Sequence, residues 1–82
     1  MVNEFMEKKL LQLLMDIFKI HLGEAENASM QSISGWDSLS HVELMMSIEE
    51  EFNISQIVPE EIVFMTSIDN IKQILKNKGV EI

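Results

Sequence analysis

The residues of this chain best suited to chemistry are Asp37 and Ser38, which stand immediately before an amphipathic stretch that ends near Phe52. Aspartate is a favoured helix N-cap, and the serine after it then lies in the first helical turn. Unpaired backbone N–H groups and the positive end of the helix dipole favour phosphate oxygens at such a position. Ser38 is therefore a candidate for carrying a phosphodiester. Because serine is also common at helix starts for capping alone, Asp37-Ser38-Leu39 needs support from the rest of the chain.

The carboxylates and histidines offer little support for catalysis or metal binding. Glu49 and Glu50 are adjacent in one helical stretch, so they point about 100° apart and do not form an acid–base pair. His41 projects towards the core side of the same helix, where we expect a packed or loop-bonded histidine. With two histidines and no cysteine, we expect neither catalytic residues nor a metal site.

The composition indicates one small acidic domain, expected to span residues 1–82. The net charge of −8 argues against nucleic acid and anionic membranes, and it favours steering towards basic patches on partner proteins. No apolar run approaches the roughly 20 residues of a membrane span, and the acidic N-terminal segment is unlike a signal peptide. We therefore expect a cytoplasmic monomer. Since the chain lacks cysteine, any thiol chemistry must come with a prosthetic group.

Apolar periodicity predicts an all-α fold, a small four-helix bundle with three longer helices and one short third helix. The predicted helices cover residues 3–21, 38–52 and 59–65, with a last helix that follows a cap at Thr66 or Ser67 and runs to Asn77. Gly23 is interpreted as the stop signal of the first helix. A long polar loop, residues 22–37, separates the first two helices, and loops of that length in small domains are commonly functional.

The second predicted helix has two apolar sides. With a rotation of about 100° per residue, one side forms the expected core face: His41, Leu44, Met45, Ile48 and Phe52. Leu39, Val42 and Met46 fall elsewhere, and we call these three residues the apolar strip. Acidic residues border the strip, with Glu43 and Glu50 on one flank and Glu49 on the other. An apolar strip outside the core needs a second partner to cover it.

Four sequence blocks together resemble acyl carrier proteins. They are GWDSLSHVEL at residues 35–44, IEEEF at 48–52, PEEI at 59–62 and MTSI at 65–68. The blocks occur in the family's order and at nearly its spacing, so the resemblance covers essentially the whole chain. The chain is therefore identified as similar to phosphopantetheine-binding carriers, which are small helical bundles.

The resemblance implies a function for Ser38. A phosphopantetheinyl transferase, using coenzyme A and a divalent metal, would attach phosphopantetheine to this serine. The thiol of that arm would hold an acyl or aminoacyl group as a thioester, and the carrier itself would contribute no catalytic residues. Loading enzymes, synthases and transferases with basic docking patches would recognise residues around the second helix: Asp37, Leu39, Glu43, Met46, Glu49 and Glu50.

Trp36 and Ser40 depart from the pattern of carriers in bulk fatty-acid synthesis. Those carriers usually have a small or aliphatic residue before the Asp-Ser-Leu motif, and many have an acid at the position of Ser40. The motif Trp-Asp-Ser-Leu-x-His is more similar to specialised stand-alone carriers, which implies a dedicated pathway. From physical reasoning alone, Trp36 is a large apolar anchor for the loop before Ser38.

Several interpretations stay open at the level of the sequence. Met45, Ile62 and Met65 are candidates for the wall of an acyl-chain pocket because methionine repacks readily, but ordinary filling of a helical core explains them equally well. An aminoacyl or peptidyl carrier of similar fold is an alternative function. An unmodified helical adaptor that binds a partner through the apolar strip is another.

Overall fold

The computed structural model describes residues 4–82, in which α-helices joined by turns and loops are the main regular structure. Within them lie five helices: α1 (Glu4–Phe18), α2 (Leu22–Ala25), α3 (Ser38–Phe52), α4 (Pro59–Phe64) and α5 (Ile68–Asn77). The only strand-like feature in this part of the chain is an isolated antiparallel bridge between Ser29 and Ser67. The predicted all-α bundle, with three longer helices and a short helix before the last one, is confirmed. No helix of the described part is both long and apolar enough to cross a membrane.

Helix α1 ends earlier than its sequence pattern predicts. Its predicted first residue, Asn3, lies outside the described residues. Its predicted end at residue 21 is wrong, because Lys19 adopts a left-handed conformation with a φ of 56°. The N–H of Ile20 then donates to the carbonyl of Met15 at 3.3 Å, which is the six-to-one bond that closes a helix with a left-handed residue.

The predicted loop 22–37 contains the short helix α2, so its interpretation as irregular throughout is wrong. Gly23 lies inside this helix and does not stop α1. Four residues are too few to show apolar periodicity, and of them only Ala25 is buried. The turn is held by backbone bonds from Glu24 and Ala25 to the carbonyl of His21, both at 3.1 Å.

The rest of the long loop is fastened to the turn between α4 and α5. Met30 N–H donates to the carbonyl of Thr66 at 2.8 Å, and Ile68 N–H donates to the carbonyl of Ala28 at 2.9 Å. Ser67 caps α5 by accepting a hydrogen bond from the Asn70 backbone, which confirms one of the two predicted caps. These bonds hold the segment that leads into α3 against the body of the bundle.

The core is built from one face of each long helix and from the loop beside them. Its largest fully buried side chains are Leu10, Leu14, Leu44, Ile48, Met65, Ile68, Ile71 and Leu75. The predicted core face of α3 is confirmed, since all five of its residues are buried. Burying one such aliphatic side chain stabilises the fold by about 1.5–3 kcal/mol. Helix α3 is therefore anchored along one side, while its N-terminus and its other side face solvent.

Candidate functional site

Ser38 is the first residue of α3 and is exposed to solvent. The preceding residue, Asp37, is the N-cap, as its position in the sequence predicts. Its backbone is extended, with a φ of −106°, and its carboxylate accepts a hydrogen bond from the N–H of Ser40 at 2.9 Å. The first helical bond joins the N–H of His41 to the carbonyl of Asp37 at 2.8 Å. The hydroxyl of Ser38 therefore stands at the open end of a well-formed helix, where a phosphate group is favoured.

The carboxyl group of Asp37 is held in its ionised form. The backbone N–H of Ser40, and then the Ser40 hydroxyl, lower the pKa of this exposed carboxyl below its ordinary value. A carboxylate that accepts hydrogen bonds is stabilised relative to its protonated form. The cap is thus fully charged at neutral pH.

This lowered pKa predicts that Asp37 contributes to stability at neutral pH and not in acid. Because the folded pKa lies below the ordinary value of 3.8, the unfolded chain binds the proton more tightly. The contribution is complete above that value and is lost as the pH falls through the lowered pKa. Asp37→Asn keeps a good cap without the charge.

The experiment compares urea unfolding of the wild type and Asp37→Asn at about pH 7, about pH 5 and about pH 3. We expect the wild type to be the more stable protein at the two higher values. The difference in unfolding free energy should shrink in acid. A difference that stays constant over this range would contradict the assignment of the cap charge to Asp37.

The side chains of Trp36 and His41 meet beside the serine. The indole Nε1–H of Trp36 donates to His41 Nδ1 at 3.0 Å, and both side chains are buried. Because an indole nitrogen can only donate, Nδ1 of the neutral imidazole must accept and the ring proton is on Nε2. Nε2–H then donates to the carbonyl oxygen of Ile62 in α4 at 2.8 Å. The predictions of a packed, bonded His41 and an anchoring Trp36 are confirmed.

The apolar strip of α3 lies on the solvent side of the helix. Leu39 is 81% exposed, Met46 64% and Val42 52%. These residues line a groove of about 490 Å³ together with two carboxylates and a hydroxyl: Glu43, Glu50 and Ser47. The strip and the acidic flank predicted from the helical rotation thus come together on one surface, which begins at Leu39 directly after Ser38.

Glu49 is placed differently from the other acidic residues of α3. Its side chain is half-buried and accepts a hydrogen bond from the N–H of Ile57 at 2.7 Å. The bond ties the end of α3 to the loop that leads into α4. Glu49 does not line the groove formed by the apolar strip, so its carboxylate is committed to the fold.

The three candidates for an acyl pocket lie at and near the junction of α3 and α4. Met45 follows His41 by one turn of α3 and is 3% exposed, and Met65 directly follows α4 and is fully buried. Ile62 is half-buried, and its carbonyl accepts the hydrogen bond from His41.

Among residues 4–82, no group of three histidines, aspartates or glutamates is arranged to hold a metal ion.

Reasoning from the sequence missed two partners of the site. Phe18, the last residue of α1, stacks on Trp36 with ring centroids 5.0 Å apart. The Ile62 carbonyl is the other, and a backbone oxygen 21 residues away leaves no signal in a sequence. The spacing of Trp36 and His41 did hold a signal, since residues just before a cap and four positions after it commonly meet.

Comparison with known proteins supports the resemblance to carriers. No family model matches the chain. Two curated relatives, each named Acyl carrier protein and each from a strain of Porphyromonas gingivalis, are 44% identical to it over 50 residues. The match covers 60% of this chain and spans 64% of the length of each relative. The suspected resemblance to acyl carrier proteins is confirmed, and these relatives are carrier proteins rather than enzymes.

Proposed function

We propose that this chain is an acyl carrier protein that holds an acyl group as a thioester on a phosphopantetheine arm attached to Ser38. The observation that carries the proposal is the exposed Ser38 hydroxyl at the capped N-terminus of α3, in a chain with curated relatives named acyl carrier protein. The chain would act as the substrate of a phosphopantetheinyl transferase and would catalyse nothing itself.

The residues around Ser38 fit the arm. The hydroxyl is exposed for ester formation, and the backbone N–H groups of the first turn favour the negative phosphate. The arm supplies the terminal thiol, which the chain lacks because it has no cysteine. A flexible tether raises the effective concentration of its cargo at each enzyme that the carrier visits.

The surface of α3 fits partner enzymes that have an apolar patch bordered by lysine or arginine. Leu39 and Met46 would enter the patch, and Glu43 and Glu50 would face the cations, with Asp37 at the edge of the contact. Such charge complementarity raises association rates and fixes orientation. We assign Glu49 to the loop before α4 instead of to docking, because its carboxylate is bonded to the Ile57 N–H.

The proposal extends to the cargo and the setting. Met45, Ile62 and Met65 would form a pocket wall for the acyl chain, since methionine adapts its shape to a new neighbour. Trp36 and Ser40 support a dedicated biosynthetic pathway over bulk fatty-acid synthesis. We place the carrier in the cytoplasm as a monomer that meets its transferase and acyl-transferring enzymes one at a time.

A thiol titration tests the proposal. The protein is incubated with coenzyme A, Mg²⁺ and a broad-specificity phosphopantetheinyl transferase, and is then purified away from both. Because the chain has no cysteine, any thiol that titrates must be on the attached arm. We expect one thiol per chain after treatment and none before it.

Two further outcomes separate the alternatives. A folded chain that gains no thiol would contradict the acyl carrier and the aminoacyl or peptidyl carrier alike, leaving the unmodified adaptor. If the arm is attached, incubation with acyl-activating and aminoacyl-adenylating enzymes compares the two kinds of cargo. A thioester formed only with amino acids would favour the aminoacyl or peptidyl carrier.

A further inference from the structure

Trp36 and His41 occupy two positions that govern how a chain enters a helix. With Asp37 as the cap, Trp36 is the residue just before it and His41 is the fourth residue after it. Apolar side chains at these two positions commonly pack together and fix the entry angle of the chain. Here the contact is also a hydrogen bond, 3.0 Å long, between side chains that are 2% and 6% exposed. Ser38 lies inside the segment that this bond closes.

The pair is held from two further sides. The Trp36 ring stacks on Phe18 at the end of α1, with the ring planes 24° apart. The other ring nitrogen of His41 donates to the Ile62 carbonyl in α4 at 2.8 Å. The short segment that carries Ser38 is thereby connected to α1 on one side and to α4 on the other. The contacts of Ser38 itself do not explain this arrangement, because its side chain is exposed.

We infer that Trp36 and His41 are positioning residues for the modification of Ser38. Their hydrogen bond fixes the entry angle of the chain into α3. It therefore holds the Ser38 hydroxyl in the orientation in which the transferase attaches phosphopantetheine to it. The hydrogen bond between His41 and the Ile62 carbonyl holds α4 against α3, and the orientation of Ser38 does not depend on it. This inference rests on the proposed function, because it assigns a role in loading the arm.

Substitutions can break the two bonds of His41 separately. In His41→Gln, the amide N–H reaches the place of Nε2 and still donates to Ile62, but nothing accepts from the indole. In His41→Asn, the oxygen of the shorter side-chain amide lies near the place of Nδ1 and accepts the hydrogen bond from the Trp36 indole. The hydrogen bond to the Ile62 carbonyl is lost, because the shorter side chain does not reach it. Trp36→Phe keeps an aromatic ring on Phe18 and removes the indole donor.

The test measures kcat/KM for loading, by the rate of thiol appearance, and the unfolding free energy of each variant in urea. We expect Trp36→Phe and His41→Gln to lower kcat/KM by about three- to tenfold, the size of effect that one hydrogen bond produces. His41→Asn, the conservative replacement, should restore most of the rate. The double variant Trp36→Phe/His41→Gln should lose little beyond either single variant, because both remove the same bond.

A core substitution away from the site supplies the control. Ile74 is buried in α5, and Ile74→Val should reduce stability modestly while loading proceeds at the wild-type rate. Wild-type rates in Trp36→Phe and His41→Gln would overturn the inference, as would rates that follow stability across all the variants, Ile74→Val included. A folded wild type that takes up no arm would overturn the proposed function as well, so the two failures are distinguishable.

Discussion

Ser38→Ala is expected to abolish attachment of the arm while leaving the fold and its stability nearly unchanged. The loss should be complete, because the ester is formed at the hydroxyl oxygen and alanine has none. Stability should change by no more than about 0.5 kcal/mol, the usual range for an exposed position. Ser38 is exposed at the first position of α3, and the cap is provided by the Asp37 carboxylate.

The measurement combines thiol titration with circular dichroism and urea unfolding of the same preparation. Ser34→Ala is the matched control, since Ser34 is an exposed serine in the loop four residues earlier. The control should gain one thiol per chain, as the wild type does. A thiol on Ser38→Ala would place the arm elsewhere. Loss of its helical signal would contradict the conclusion that Asp37 alone caps α3.

Leu44→Ala is expected to cause a large loss of stability. Leu44 is fully buried, so its truncation removes apolar burial and leaves a cavity, at a cost of about 2–5 kcal/mol. A domain of 82 residues has a total unfolding free energy of about 4–12 kcal/mol. The substitution therefore removes a substantial share of it, and the urea concentration at the midpoint of unfolding should fall clearly below that of the wild type.

Leu39→Ala is the matched variant, with the same substitution on the same helix at a position that is 81% exposed. It should change the unfolding free energy by less than about 0.5 kcal/mol. It should instead raise the KM of the transferase for the carrier, because the apolar strip loses a contact with the partner. Urea unfolding of both variants tests the assignment of the two faces. Equal destabilisation by Leu44→Ala and Leu39→Ala would show that the assignment is wrong.

The two faces of α3 were predictable because the spacing of apolar residues repeats over several turns of a 15-residue helix. Each apolar residue is then placed by its spacing from the others, and the core face and the strip both follow. The cap at Asp37 was predictable for a local reason, since its hydrogen-bond partner is only three residues away. These are the elements that place Ser38 at an exposed helix start.

The parts that were missed depend on contacts or conformations without a local pattern. Helix α1 ends at Phe18, and Lys19 follows it in a left-handed conformation that glycine adopts more readily, so Gly23 was the apparent stop in the sequence. Glu49 looks like its neighbours in sequence, but it bonds to Ile57 across a turn. The link from His41 to α4 is made by a backbone oxygen, and backbone atoms are the same at every position.

The central claim is that the arm is attached to Ser38, and tandem mass spectrometry of the loaded wild-type protein tests it most directly. The intact protein should gain the mass of one phosphopantetheine group. Every fragment that bears the group should contain Ser38, and fragments that end before residue 38 or begin after it should have unmodified masses. A folded protein that gains no mass, or a group located on another serine such as Ser34 or Ser40, would contradict the claim.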